Sequence, residues 1–136
     1  MTNCNSEIIW AHTVYAANFP ESWSSQSFDY GVRDNKGRVI GGRVSIRKRF
    51  ACKRDADGKI VFGEDRHAVE DLDRPFFEVC HHALRDGRGF GAIPRGTNCA
   101  TLEAAKVLAA KKVKEACARF TRLVAKGEGR QFTARS

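Results

Sequence analysis

Apolar and polar side chains alternate along several stretches of the chain. A period of two residues is the spacing of a β-strand that buries one face, so these stretches predict strands. The longer ones cover residues 8–17, 27–33, 43–53 and 76–84, and short strands are predicted at 60–63 and 90–93. In the 43–53 stretch the apolar positions are Val44, Ile46, Phe50 and Cys52, with Lys48 as the exception among them.

Polar segments that contain glycine separate these strands. Asp and Asn side chains close tight turns by bonding to backbone amides, and Gly accepts the positive φ angle that hairpin turns require. Such turns are predicted at residues 33–38, 54–59 and 85–88. Strands joined by consecutive hairpin turns pair with their neighbours in sequence, so the pattern predicts an antiparallel meander.

Three segments are predicted to be connectors outside the sheet, and the first is residues 18–27, which hold Pro20 and four serines. Residues 64–75 hold five acidic side chains and end at Pro75. Because proline disfavours helix in the residue that precedes it, Pro75 is predicted to end this connector. Residues 96–98, Gly-Thr-Asn, are predicted to be a loop.

The apolar pattern changes to a helical period after residue 101. Apolar side chains recur at i, i+3, i+4 and i+7, which predicts an amphipathic helix with one buried stripe. Thr101 is the predicted N-cap and Gly127 the predicted stop, so the helix would span residues 102–126. The stripe contains Leu102, Ala105, Ala109, Val113, Ala116, Cys117, Phe120 and Val124.

Together these elements predict an α+β fold, with a five- or six-stranded antiparallel meander sheet and one long C-terminal helix packed on one face. A chain of 136 residues is expected to form one domain. We assign this domain to residues 1–126, in which 1–25 would form a strand or an arm. Residues 127–136 are expected to be a mobile tail.

Composition indicates a real core and an excess of positive charge. Apolar residues make up 42% of the chain, and the formal net charge is +8. A net positive charge favours polyanionic partners such as nucleic acid. The charge is uneven, since the first 32 residues contain no Lys or Arg whereas residues 33–59 contain ten.

Cellular location is inferred from missing signals and from cysteine usage. The sequence shows no secretion signal and no stretch as apolar as a membrane span. Its five cysteines are odd in number and widely spread, which favours reduced thiols in the cytoplasm. The aromatic N-terminal segment could also dock on a partner or a second copy, so a homodimer is one expectation.

The strand predicted at residues 43–53 carries the main functional signal. Arg43, Arg47 and Arg49 fall on the side opposite the apolar positions, where residues two apart are separated by about 7 Å. Phosphates recur along nucleic acid at a comparable spacing, and planar guanidinium groups bind phosphate well. The alternative is a solvated sheet face, or one neutralised by the acidic segment 64–75.

The predicted helix supplies further cations, seven Lys or Arg against Glu103 and Glu115. We therefore predict a surface that binds nucleic acid or another partner through strand and helix cations together. The predicted site consists of Arg43, Arg47, Lys48, Arg49, Lys53, Arg88, Lys111, Lys114 and Arg122.

Signatures of catalysis and metal binding are weak. Cys80 and His82 would share one strand face, as two zinc ligands could, but the sequence has no second close pair. No hydrolase, metalloprotease or nucleotide-binding motif occurs. Acid and base groups such as Glu64 and His67 lie in the predicted connector, where the burial that activates catalytic groups is not expected. We therefore predict no enzyme activity, no metal and no cofactor.

Short stretches resemble nucleic-acid-binding families. Residues 88–93 resemble the start of the ribonucleoprotein stretch of RNA-recognition motifs, with Phe90 at a stacking position. Residues 30–39 are similar to the first hairpin of the positive-cofactor type of single-stranded-DNA-binding coactivators. The Tyr-Gly-Val-Arg run at residue 30 and the Thr-Leu-Glu-Ala-Ala entry to the helix resemble phage-integrase arm domains, which lay a three-stranded sheet in the major groove. Each resemblance covers only part of the chain, so we assign no family.

The sequence thus predicts a small, basic, non-enzymatic nucleic-acid-binding protein of low sequence specificity. The alternative is an accessory or inhibitor protein, of the kind that phages and mobile elements encode, which binds an acidic protein or a nucleoprotein. Neither expectation involves a membrane. The choice between DNA and RNA stays open.

Overall fold

In a computed structural model of the chain, residues 7–14, 20–33, 36–85, 88–89 and 96–125 are described. Within these residues seven strands form one antiparallel sheet, and one helix lies against it. The elements are β1 (Ala11–Thr13), β2 (Ser22–Ser24), β3 (Phe28–Arg33), β4 (Val39–Cys52), β5 (Glu70–Arg85), β6 (Arg88–Gly89), β7 (Thr97–Cys99) and α1 (Leu102–Ala125).

The predicted fold class is confirmed. Six of the strands have three or more residues, β6 has two, and α1 is the long C-terminal helix. The predicted N-cap is also confirmed, because the amide of Ala104 donates to Thr101 Oγ1 at 3.1 Å. The predicted helix end at Gly127 and the predicted tail lie outside the described residues.

The long strands β4 and β5 form the centre of the sheet. They pair with each other from Ile40↔Arg85 to Phe50↔Pro75. The other edge of β4 is shared by β2 and β3, and the other edge of β5 by β6 and β7. β1 extends the sheet beyond β2.

Beyond the body of the sheet, residues 50–75 form what we call the distal arm, in which the described backbone pairs only with itself. The turn predicted at residues 54–59 is present here. The carboxylate of Asp55 accepts from the amides of Asp57 and Lys59, and Gly58 takes a φ of 80°. The strand predicted at 60–63 is reduced to two isolated bridges, Arg54↔Ile60 and Phe62↔Ala68.

All three predicted connectors are partly wrong, and residues 18–27 contain β2 (Ser22–Ser24). Residues 97–99 form β7, and β5 begins at Glu70, so Pro75 lies inside a strand rather than before it. The ladder is irregular at this point, with a register shift between Phe50 and Cys52, and irregular or edge positions are where strands accept proline.

The N-terminal strand is shorter than predicted. The expected strand at 8–17 is reduced to β1, whose three residues are exposed, and residues 15–17 lie outside the described residues. The strand predicted at 90–93 lies outside them as well.

The core lies between the sheet and α1. The predicted alternation of apolar and polar side chains along the strands directs the apolar ones toward this space. Every second residue of β3 and β4 faces the helix, and the predicted helical stripe faces back. Burying each large apolar side chain contributes about 1.5–3 kcal/mol. The buried residues are Trp23, Phe28, Tyr30, Val32, Ile40, Val44, Ile46, Val79, Ala105, Ala109, Val113 and Phe120.

Gly42 allows Tyr30 to pack closely against β4 in this core. The ring of Tyr30 stacks on that of Phe120, with centroids 5.1 Å apart. The Tyr30 hydroxyl reaches β4 at Gly42, where an added Cβ would lie only 2.0 Å from the hydroxyl oxygen. A residue with a side chain therefore cannot replace Gly42 without movement of Tyr30.

Cysteine chemistry differs from the prediction. Cys52, Cys80 and Cys99 are free thiols, whereas Cys117 on α1 is disulfide-bonded. The expectation of reduced thiols is therefore wrong for Cys117, because spacing along the sequence does not report which thiols meet in space. Within the described residues no helix is both long and apolar enough to cross a membrane.

Candidate functional site

One face of the sheet is not covered by α1, and Arg43, Arg47 and Arg49 lie on it. Their neighbours in β4, Val44 and Ile46, are fully buried under the helix, so strand parity puts the arginines on the opposite side as predicted. The three side chains follow one strand over about 20 Å. We call these three residues the arginine row and the surface that carries them the open face.

Glu78 of β5 lies between two members of the row. Arg47 Nη2 donates to Glu78 Oε1 at 3.0 Å, and Arg49 Nη1 donates to the same oxygen at 3.3 Å. One carboxylate shared by two guanidinium groups leaves a net charge of +1. The side chains of Arg47 and Arg49 remain 37% and 52% exposed, so both can still reach a partner.

For Arg43, at the other end of the row, the described part of the chain supplies no carboxylate partner. Its Nη2 donates to Ser27 Oγ at 3.3 Å, and its partner across the ladder is His82. His82 Nε2 lies 3.3 Å from Ser45 Oγ. Burial lowers the pKa of His82, and the charges of Arg47 and Arg43 lower it further. The imidazole is therefore neutral near pH 7, and the arginines supply the positive charge at this end.

The acidic segment at 64–75 does not neutralise the row. Its carboxylates belong to the distal arm and the start of β5. Across the described residues, the carboxylate that pairs with Arg47 and Arg49 is Glu78, and no ion pair joins the row to the acidic segment. A sheet face neutralised by the acidic segment is therefore not what the structure has, and a solvated sheet face stays the alternative to a binding surface.

The helix cations lie on the other side of the molecule. Lys111, Lys114 and Arg122 are exposed on α1, whose stripe of Ala109 and Val113 packs against the sheet. The sheet and the body of the helix therefore lie between them and the arginine row. The strand and helix cations were predicted to form one surface. They form two surfaces instead, and these face in opposite directions.

The other predicted site residues also lie apart from the row. Lys48 belongs to the helix-side parity of β4, with Nζ 3.9 Å from Glu21 Oε1 and 5.7 Å from the centroid of the Phe50 ring. Lys53 is exposed on the distal arm. Arg88 belongs to β6, on the edge of β5 that is remote from β4.

The structure does not support Cys80 and His82 as a metal site. Cys80 and His82 share the open face, but Cys80 is only 1% exposed, and Gly96 packs against it. His81 lies on the helix side. Among the residues that the structure describes, no group of three or more His, Cys, Asp or Glu side chains is placed to hold a metal ion.

Glu78 is the site residue that sequence reasoning missed. It lies in the strand predicted at 76–84, so its presence near the arginines could have been expected from hairpin pairing. Its position opposite Arg47 depends on the register between β4 and β5. A shift of two residues would have placed a different side chain of β5 opposite Arg47, and alternation within each strand does not exclude such a shift.

Comparisons of the chain with known protein families, with curated proteins and with solved structures find no match. The charge and geometry of the open face are therefore the basis for a functional proposal.

Proposed function

We propose that the protein binds nucleic acid, without catalysing a reaction, through the arginine row on the open face. The observation that supports this most directly is the charge balance, since three guanidinium groups stand along one strand and Glu78 is the one carboxylate that the described residues pair with them. A phosphate backbone supplies negative charges at regular intervals, and each neutralised phosphate releases counterions.

The spacing of the row suits a phosphate backbone. Arg43 and Arg47 are separated by about 13 Å along the strand and Arg47 and Arg49 by about 7 Å. Successive phosphates of one strand advance about 3.4 Å along a duplex axis, so the row spans several of them. Planar guanidinium groups can bond two phosphate oxygens at once.

Sequence specificity is expected to be low. Base edges are read mainly by Arg, Lys, Asn and Gln in defined geometries. β4 contains no Asn or Gln, and the side chain between Arg43 and Arg47 on the open face is Ser45. The row therefore offers phosphate donors without a clear base-reading set.

The Glu78 ion pairs do not prevent this binding. Ion pairs between partly exposed side chains contribute about 0–1 kcal/mol. A phosphate that approaches Arg47 or Arg49 can replace one of the two bonds, while Glu78 keeps the other arginine in place.

A salt titration with a matched charge control tests the proposal. Binding of a fluorescent generic duplex is measured by anisotropy at several salt concentrations. The variant Arg43→Gln/Arg47→Gln/Arg49→Gln is expected to bind at least tenfold more weakly. Its log-log salt slope should be smaller by up to about 2.7, because each phosphate contact contributes about 0.9.

The control variant changes three exposed cations of the distal arm, Lys59→Gln/Arg66→Gln/Arg74→Gln, and has the same net charge as the row variant. It should bind nearly as well as the unmodified protein. Equal losses of duplex affinity in the two variants would show that net charge alone explains the loss. Unchanged affinity in the row variant would exclude the arginine row as the binding site. Circular dichroism confirms that each variant is folded.

A protein partner is the second candidate, and the distal arm favours it. Phe62 and Leu72 are 63% and 70% exposed on this arm, and Ile60 is 37% exposed. Exposed large apolar side chains are frequent at protein interfaces. An acidic protein or a nucleoprotein could contact the arginine row through its carboxylates and the arm through an apolar patch.

Affinity purification from the host, with and without nuclease, separates the two candidates. Nuclease should abolish recovery of partners that are held through nucleic acid. One protein that is recovered despite nuclease, and is lost in a Phe62→Ser/Leu72→Ser variant, would favour the second candidate. The same variant should leave anisotropy with the generic duplex unchanged if the row alone binds nucleic acid.

A further inference from the structure

The cations of α1 form a second positive surface, which binding by the arginine row does not use. Lys111, Lys114 and Arg122 are exposed and follow one another at i, i+3 and i+11. At 3.6 residues per turn and 1.5 Å per residue, this spacing puts them on one side of the helix over about 16 Å. We call these three residues the helix ridge.

The helix ridge points directly away from the sheet. Each residue of a helix turns the side-chain direction by about 100°, so Ala109, Val113 and Phe120 lie about 160–200° around the axis from Lys111. These three residues are buried against the sheet. Packing of the apolar stripe therefore fixes the ridge on the side of the molecule opposite the arginine row.

The ridge keeps its positive charge. α1 carries six Lys or Arg side chains against two Glu. Lys111 Nζ lies 3.9 Å from Glu115 Oε1, but both side chains are more than 60% exposed, and such i, i+4 pairs are weak. Lys114 and Arg122 add two further positive charges on the same side of the helix, so the ridge attracts the same kind of ligand as the arginine row.

We propose that one molecule of this protein bridges two nucleic-acid duplexes, one on the arginine row and the other on the helix ridge. This inference depends on the proposed function, since the row must bind a duplex first. A straight duplex that lies on the open face cannot also reach the ridge, because the sheet and the helix stand between them. Duplex DNA has a persistence length of about 150 base pairs, so wrapping one segment around so small a domain is costly.

A two-duplex capture assay tests the bridge. A biotinylated duplex is fixed to beads, the protein is added, and retention of a second, fluorescent duplex of the same sequence is measured. The unmodified protein should retain the second duplex, and retention should fall as salt rises. Anisotropy with a single duplex is measured in parallel and reports whether the protein binds nucleic acid at all.

The decisive variant is Lys111→Gln/Lys114→Gln/Arg122→Gln, since glutamine preserves helix propensity at these exposed positions. We expect it to bind a single duplex within about threefold of the unmodified protein and to retain at least tenfold less of the second duplex. The distal-arm variant Lys59→Gln/Arg66→Gln/Arg74→Gln has the same net charge and should retain both activities. Thermal unfolding shows that the ridge variant is folded.

The outcomes separate the bridge from the proposed function. Single-duplex binding by the unmodified protein with no retention of the second duplex would overturn the bridge and leave the proposed function intact. Retention that survives in the ridge variant would also overturn it, because bridging would then come from two protein copies or another surface. If the unmodified protein does not bind even a single duplex, the proposed function itself is wrong.

Discussion

The Tyr30 hydroxyl of β3 and His81 Nε2 of β5 form a hydrogen bond on the helix side of the sheet, with their ring centroids 5.9 Å apart. Burial raises the pKa of Tyr30 well above its ordinary value of 10.0, so the hydroxyl keeps its proton. Burial lowers the pKa of His81 to about 4, with smaller contributions from His82, Lys112 and Arg119. The imidazole is therefore neutral near pH 7, and in the tautomer with its ring proton on Nδ1 the Tyr30 hydroxyl donates to Nε2.

This pair makes stability depend on pH. His81 has a folded pKa of about 4 and an ordinary value of 6.5, so the unfolded chain binds more protons between these values. Stability from this histidine is fully present above about pH 6.5 and is lost as pH falls toward 4. One pKa unit corresponds to about 1.4 kcal/mol, and with allowance for solvent screening we expect a loss on the order of 2 kcal/mol.

Urea unfolding at several pH values between 7 and 4 measures this loss. The His81→Gln variant should be less stable at pH 7 but should lose less stability on acidification than the unmodified protein. His82, whose pKa is also lowered, preserves part of the effect. The control is His67→Gln on the exposed arm, which should follow the unmodified protein. Parallel curves for all three proteins would show that His81 does not carry the pH dependence.

Removal of the Glu78 carboxylate should strengthen nucleic-acid binding. In Glu78→Gln the amide oxygen can still accept from Arg47 and Arg49, but the open face gains one unit of positive charge. We expect a duplex to bind about two- to tenfold more tightly at low salt, with a log-log salt slope steeper by up to about 0.9. Glu64→Gln, on the exposed distal arm, adds the same charge and should change affinity much less. Weaker binding by Glu78→Gln would mean that its carboxylate is needed to position the arginines.

A side chain at Gly42 should destabilise the core. The Cβ of alanine would overlap the Tyr30 ring, with the hydroxyl oxygen at 2.0 Å and Cζ at 2.5 Å. Overpacking of this kind costs about 1–3 kcal/mol, which urea unfolding of Gly42→Ala would measure. The same substitution should cost less in a Tyr30→Leu background, because the clashing atoms are gone. Equal costs in the two backgrounds would show that Tyr30 is not the obstacle.

Loss of the N-cap should weaken α1. Thr101→Ala removes the oxygen that accepts from the Ala104 amide, and such substitutions cost about 1 kcal/mol. Thr101→Ser retains an acceptor and should restore most of the stability. The comparison is made by thermal unfolding followed by circular dichroism. A similar loss in both variants would assign the effect to the methyl group of Thr101 instead of to the cap.

Features that depend on residues close together in the chain were predictable from the sequence. Phe28, Tyr30 and Val32 form a buried face because alternate side chains of any strand point the same way. Strand parity likewise placed the arginine row outside the core. The cap at Thr101 was predictable because a cap depends on its neighbours in the chain.

Features that join distant residues were not predictable in this way. The sequence predicts a loop at 96–98. In the structure Thr97–Cys99 forms a strand that pairs with the free edge of β5. Pro75 looked like the end of a connector, but an irregular ladder accommodates it in β5. Glu78 could be placed in a strand, whereas its ion pairs with Arg47 and Arg49 required the register.

The sequence by itself thus determined the type of each main element and the inward or outward direction of its side chains, because these depend on local backbone geometry. Tertiary structure alone decided which strands are neighbours, which carboxylate reaches the arginine row, and that the row and the helix ridge face opposite ways. Those relationships depend on contacts between residues far apart in the chain, and a local period carries no information about them.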